Sequence, residues 1–171
     1  MGVSGSGRSK VPLGVPPRHL VWVLKGSLAM SERPGGQGYT HRRLRRTEEI
    51  SWLLANGFNR VVSLLPSPHN LHCYKESGMC SAHMPLAATS NFAEILPPFY
   101  AELRGWLNSG EVVLVHHEEM GELVLGFCAG YLLWSGKLRT GPQAVVAVET
   151  LAKKPMGPLG RSMVAALEGA M

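Results

Sequence analysis

Residues 112–134, VVLVHHEEMGELVLGFCAGYLLW, constrain the fold more than any other stretch of the chain. They read as a buried strand, a tight loop over residues 116–123 and a helix over residues 124–134. The helix is apolar on nearly every side, with Val124, Leu125, Phe127, Cys128, Tyr131 and Trp134 distributed around it. A helix of that kind belongs in the interior of a domain. The loop is then tied to a central strand at one end and to a core helix at the other. In α/β sheets, ligands sit beyond the carboxyl ends of the strands, against helix N-termini whose free N–H groups attract anions. The loop occupies that place.

Strand and helix patterns alternate along the rest of the sequence. Residues 20–24 and 27–31 flank Lys25-Gly26 and predict a β-hairpin, followed by a turn at residues 32–38. Thr47 is placed to cap a helix with Glu48 and Glu49 in its first turn and Ile50, Leu53 and Leu54 as its apolar stripe, ending at Asn56-Gly57. Residues 60–65 form a short strand stopped by Pro66 and Pro68, residues 71–78 one or two helical turns, and residues 80–86 the next strand. A helix is expected from about Leu96 to Asn108, with Pro97 and Pro98 in its first turn, where a missing N–H is tolerated. Residues 141–154 and 157–171 supply the last helices. This order, with no internal repeat, predicts an α/β domain with a central, mostly parallel sheet flanked by helices. The domain is expected over residues 20–171, with residues 1–19 as a flexible tail.

At 171 residues with 45% hydrophobic residues, the chain can bury its own core without metals or cross-links. No apolar run reaches the roughly 18 residues of a membrane span, so a membrane is not an expected partner. Cys73, Cys80 and Cys128 are odd in number and unpaired in spacing, which does not suit a disulfide framework and fits a reducing, cytoplasmic setting. Residues 1–10, MGVSGSGRSK, lack the apolar core of a secretory signal, although Gly2 and Ser6 formally match a myristoylation pattern. The formal charge of +5 is clustered: HRRLRR, residues 41–46, holds Arg42, Arg43, Arg45 and Arg46 ahead of the first predicted helix. The plain expectation there is a solvated loop; the sharper one is a docking patch for an acidic peptide, a phosphate or a nucleic acid. Without interleaved aromatics or a nucleic-acid motif, nucleic acid is disfavoured and an acidic protein partner is preferred.

The order of GSLAMSERPG (26–35), EISWLLANGFNRVVSLL (49–65), YKESGMCSAHMPLAATS (74–90), EVVLVHHEEMGELVLGFCAGYLLW (111–134) and GPQAVVAVETLAKK (141–154) resembles the cysteine-based dual-specificity phosphatases, in particular the small kinase-associated type. The resemblance implies a strand ending in His-Cys, five intervening residues, and an arginine and a Ser or Thr opening the buried helix. Laid on this chain, His116 matches the family histidine, His117 the nucleophilic cysteine, Leu123 the phosphate-binding arginine and Val124 the hydroxyl residue. Met120 falls on the loop glycine, and Ala88 falls where the general-acid aspartate stands. Only the first histidine remains.

These replacements remove the chemistry that the resemblance implies. That chemistry needs a thiolate, its pKa lowered by a helix N-terminus, to attack phosphorus. Leu123 offers no fork for the equatorial oxygens, and Ala88 no proton for the leaving group. Losing an acid alone costs about 10²–10⁴ in rate. Glu118, Glu119 and Glu122 are expected to face a phosphate dianion at close range, with the arginine cluster elsewhere on the domain. The expected protein is therefore a catalytically inactive dual-specificity-phosphatase-like binding or regulatory module without a cofactor. The alternative is a hydrolase with a remodelled, metal-dependent site, or residual phosphatase-related activity. His117, Glu118 and Glu122, with His116, Glu119 and a neighbouring His83, form a donor set that suits zinc. Adjacent His116 and His117 point to opposite faces of a strand, however, and the spacing matches no established ligand signature. His116 is otherwise expected as a hydrogen-bonded core residue. His69 and His72 belong on the surface, and Met79, Met84 and Met120 in packing.

Overall fold

Alternation along short strands builds two unequal cores on the two faces of one sheet. A computed structural model describes residues 14–170; Gly2, Ser6 and the first part of the expected tail lie outside the described residues. Strands β1 (Val21–Leu24), β2 (Leu28–Ser31), β3 (Arg60–Ser63), β4 (Cys80–His83) and β5 (Val113–His116) lie in the order β1-β2-β5-β3-β4. β1 and β2 form the expected antiparallel hairpin, and every other pairing is parallel. β5 is central, and its last residue, His116, is in register with Ser31 on one side and Ser63 on the other. The architecture is thus the predicted one.

Among the described residues, six α-helices cover the sheet: α1 (Arg43–Ala55), α2 (Leu71–Glu76), α3 (Phe92–Asn108), α4 (Glu122–Trp134), α5 (Gly141–Ala152) and α6 (Pro158–Glu168). Because successive side chains point to opposite faces, Met30, Val62 and Val115 join the larger core with Leu96, Leu103 and the residues of α4. Ala29, Val61 and Leu114 face the other way, into a smaller core with Ile50, Leu53, Phe58 and Tyr74 beneath α1 and α2. Every residue of α4 from Val124 to Leu133 is buried. Its glycines permit close packing: a Cβ on Gly126 would lie 2.6 Å from Met163 Sδ and 2.9 Å from Gly160 Cα. Larger residues there would push α6 away. Cys128 is sealed in this core, and burial pushes its thiol up to about 12. All three cysteines are free.

Three local expectations need correction. α1 begins at Arg43, and Thr47 lies inside it, its Oγ1 donating to the Arg43 carbonyl at 3.1 Å. Arginine is a good helix former, so the basic run extends the helix instead of leading into it. Leu54 is 39% exposed, leaving Ile50 and Leu53 to carry the stripe. α3 begins at Phe92, a full turn early, and Pro97 and Pro98 sit in its interior. The carbonyls they leave without an N–H are those of Ala93 and Glu94, which lie on an exposed turn where water can serve them. Residues 14–19, counted with the tail on sequence grounds, run along the domain: Pro17 is buried and the Arg18 carbonyl accepts from the Glu32 amide at 3.1 Å. Among the described residues, no helix is long and apolar enough to cross a membrane.

Candidate functional site

His116 ends β5 with its imidazole fully buried on the α2 face. Its Nε2 lies 3.0 Å from the Tyr74 hydroxyl, and its Nδ1 lies 3.0 Å from the His117 carbonyl. Burial lowers its pKa to about 4, with the carbonyl of His117 opposing and Arg33 reinforcing the shift. At neutral pH the ring is therefore uncharged, as the expectation of a hydrogen-bonded core histidine requires. Behind it runs a polar network that the sequence did not disclose. Asn70, 1% exposed and in the left-handed region, donates from Nδ2 to the Pro34 carbonyl at 2.8 Å and to the Tyr74 hydroxyl at 3.3 Å. Its Oδ1 accepts from Arg33 at 3.2 Å and from Arg46 at 3.4 Å. Arg33 in turn reaches the loop, with Nη1 3.3 Å from Glu118 Oε1. The one cue in the sequence was a charged pair, Glu32-Arg33, directly after a buried strand.

The loop between β5 and α4 is held from within. Glu118 accepts from Arg33 and from the Gly38 amide, the latter at 2.9 Å. The Met120 carbonyl accepts from Lys154 Nζ at 2.6 Å, and the Met120 side chain is buried. Glu122 Oε1 accepts from the amides of Leu159 at 2.9 Å and Gly160 at 3.3 Å, so it caps the N-terminus of α6. The expected face of three carboxylates does not form: two are engaged internally and only Glu119 is exposed. Free helix amides and a buried guanidinium outcompete solvent for Glu122 and Glu118.

His117 is half-buried, and its Nε2 has no hydrogen-bond partner among the described residues. Burial lowers its pKa, while the Leu86 carbonyl and the nearby Glu118 and Glu119 act in the opposite direction. Leu123 packs against the larger core at the start of α4, and Val124 is buried. Ala88 lies exposed between β4 and α3. Where the resemblance implies a thiolate, a guanidinium and a carboxylic acid, the chain therefore places an imidazole, an isobutyl group and a methyl group. The zinc set does not assemble, since Glu118 and Glu122 are drawn to different partners and His83 is exposed at the end of β4, 2.6 Å from the Leu65 carbonyl. His69 and His72 are exposed, and Met79 and Met84 are buried, as anticipated.

The four arginines divide. Arg45 pairs with Glu49, which also accepts from the Gly35 amide at 2.8 Å, and lies 3.7 Å from Glu32. Burial raises the Glu49 carboxyl, and Gly35 and Arg45 hold it back. Arg46 turns to Asn70. Arg42 and Arg43 remain exposed, beside the fully exposed Tyr39 and the largely exposed Leu44. This surface adjoins the loop, because Gly38 and Glu118 are bonded; it does not lie elsewhere on the domain.

A parallel sheet with an edge hairpin, and a pre-organised loop between its central strand and a buried helix, is the fold of the dual-specificity phosphatases. Solved structures agree. The kinase-associated phosphatase with its catalytic-site cysteine replaced by serine matches at a TM-score of 0.74 and 18% identity, over 90% of this chain and 95% of its own. Human DUSP28 matches at 0.65 and 20% identity, over 92% and 97%. The human tyrosine phosphatase-like serine/threonine/tyrosine-interacting protein matches at 0.64 and 14%, over 88% and 93%. At such identities the likeness establishes the fold and leaves function to the site. No protein-family model matches the sequence, and no curated protein sequence does.

Proposed function

We propose that this chain is a dual-specificity-phosphatase-like protein without phosphatase chemistry, acting as a binding or regulatory module. The observation that carries this is the pairing of His117 with Leu123 across the loop: a partly desolvated imidazole at the nucleophile position, and no cation at the position that would hold the phosphoryl oxygens. The internal engagement of Glu118 and Glu122 supports the same view, since the loop is braced by its own protein instead of being open to a substrate. The surface favoured for an acidic partner is the exposed start of α1, at Arg42 and Arg43. The free thiols of Cys73, Cys80 and Cys128 support a reducing, cytoplasmic setting. Purified protein is expected not to turn over a generic aryl phosphate and not to gain thermal stability from vanadate. Turnover that disappears in His117→Ala would overturn the proposal.

A further inference from the structure

On the flank of the loop, facing the C-terminal end of α5, lies a cavity of about 420 Å³, the size of a small-molecule site. His117, Leu123 and Ala88 do not line it, although Glu119 and Met120 of the loop do, so a ligand there would sit beside the nucleophile position and not on it, and the inference does not rest on the function proposed above. We propose that it binds a small molecule bearing a primary ammonium group and, at its other end, an anionic group: an amino-acid-like zwitterion.

The ammonium end follows from Glu32. Its side chain is only 8% exposed, yet among the described residues its carboxylate accepts no hydrogen bond. The nearest basic side chains, Arg45 at 3.7 Å and His19 at 3.9 Å, stand beyond hydrogen-bonding range. The open acceptor positions of Glu32 face the cavity, where they are served by water or by a ligand donor that displaces it. The position is fixed by the fold, since Glu32 directly follows β2 at the carboxyl end of the sheet. Glu119 lines the same cavity, is exposed, and makes no ion pair among the described residues. Leu151 and Ala152, the last residues of α5, also line it.

The anionic end follows from Lys153. It terminates α5 in the left-handed region, with φ +53, and its ammonium has no ion-pair partner among the described residues. Lys154 is unavailable, being bonded to the Met120 carbonyl. Between the charges, Leu20 and Met120 supply an apolar wall for an aliphatic stem.

Amide nitrogen–proton NMR on the full chain tests this with butylammonium, 5-aminopentanoate and butyrate as probes. 5-Aminopentanoate and butylammonium are expected to shift the amides of Glu32, Gln37, Glu119, Met120 and Lys153 saturably at millimolar concentration, and butyrate to bind roughly tenfold more weakly or worse. Glu32→Gln keeps the side chain's shape and is expected to weaken both ammonium probes roughly tenfold or more. Lys153→Ala is expected to weaken 5-aminopentanoate and leave butylammonium unchanged. Unaltered amide signals away from the cavity and an unchanged melting temperature establish that each variant is folded. If Glu32→Gln does not fold, the exposed Glu119→Gln decides, and undiminished butylammonium binding in it overturns the proposal. So do the absence of any saturable shift, butyrate binding as tightly as butylammonium, or shifts that persist unchanged in folded Glu32→Gln.

Discussion

At the scale of single residues, His116 ends the central strand fully buried, and its surroundings explain what it contributes. It closes a buried chain of polar groups through Tyr74 and Asn70 to Arg33. Burial sets its pKa at about 4, below the 6.5 of an unperturbed imidazole. The unfolded chain therefore takes up a proton that the native protein refuses. The stabilising contribution is complete above about pH 6.5, is lost as pH falls from there to about 4, and changes no further below that. The full loss is on the order of 3 kcal/mol. Glu49, whose carboxyl is raised, titrates with the opposite sign, so the whole-protein profile will be shallower. A difference measurement isolates the histidine: the stability advantage of the parent over His116→Gln, from urea unfolding, is expected to shrink across that window. A gap independent of pH would sink the assignment. The histidine's position was legible because it ends a strand pattern. Its partners were not, because Arg33 meets Asn70 across 37 positions and Glu118 across 85, and no local pattern encodes such a contact.

At the scale of elements, the loop depends on a helix that begins more than thirty residues later. Glu122 bridges the start of α4 to the amides of Leu159 and Gly160, with Pro158 at the first helical position and no capping side chain at Gly157. The missing local cap is thus supplied from outside the helix. Glu122→Ala is expected to cost about 1–2 kcal/mol in chemical denaturation. Glu122→Gln, which keeps an acceptor oxygen, should lose less. Equal losses would mean that charge, and not the hydrogen bonds, is what α6 needs. The elements themselves were read well where periodicity and length agreed, as in α4 and β5, and poorly where a propensity rule was applied to one residue. Thr47 looked like a cap but sits within a helix that the arginines extend, and Pro97 and Pro98 looked like a start but lie on a solvated turn of a longer helix. In α3 the burial of Phe92 and Leu96 outweighed the local signal, whereas the added turn of α1 holds no buried residue and rests on the helix propensity of its arginines.

At the scale of the molecule, the alternation of strands and helices was sufficient for the architecture, while the distribution of charge was not. Long side chains such as Arg45, Arg46, Glu118 and Glu122 reach across elements, so a cluster in the sequence need not be a patch in space. What remains exposed of the basic run is Arg42 and Arg43. If that surface receives an acidic partner, Arg42→Glu with Arg43→Glu should slow association of a glutamate-rich peptide by about tenfold or more and flatten its salt dependence. Glu119→Lys should do little. An unchanged rate and salt slope in a folded double variant would leave the arginines as solvated charges. One further property belongs to the whole molecule. Cys80 is exposed and Cys73 partly so, whereas Cys128, on α4, is buried in the core with its proton held to about pH 12. An alkylating reagent will consume the first two thiols promptly, and the third only when the helix leaves the sheet. Where reclosing is fast relative to alkylation, the pace of that last modification tracks the population of the open form, so the chain carries its own timer for global opening.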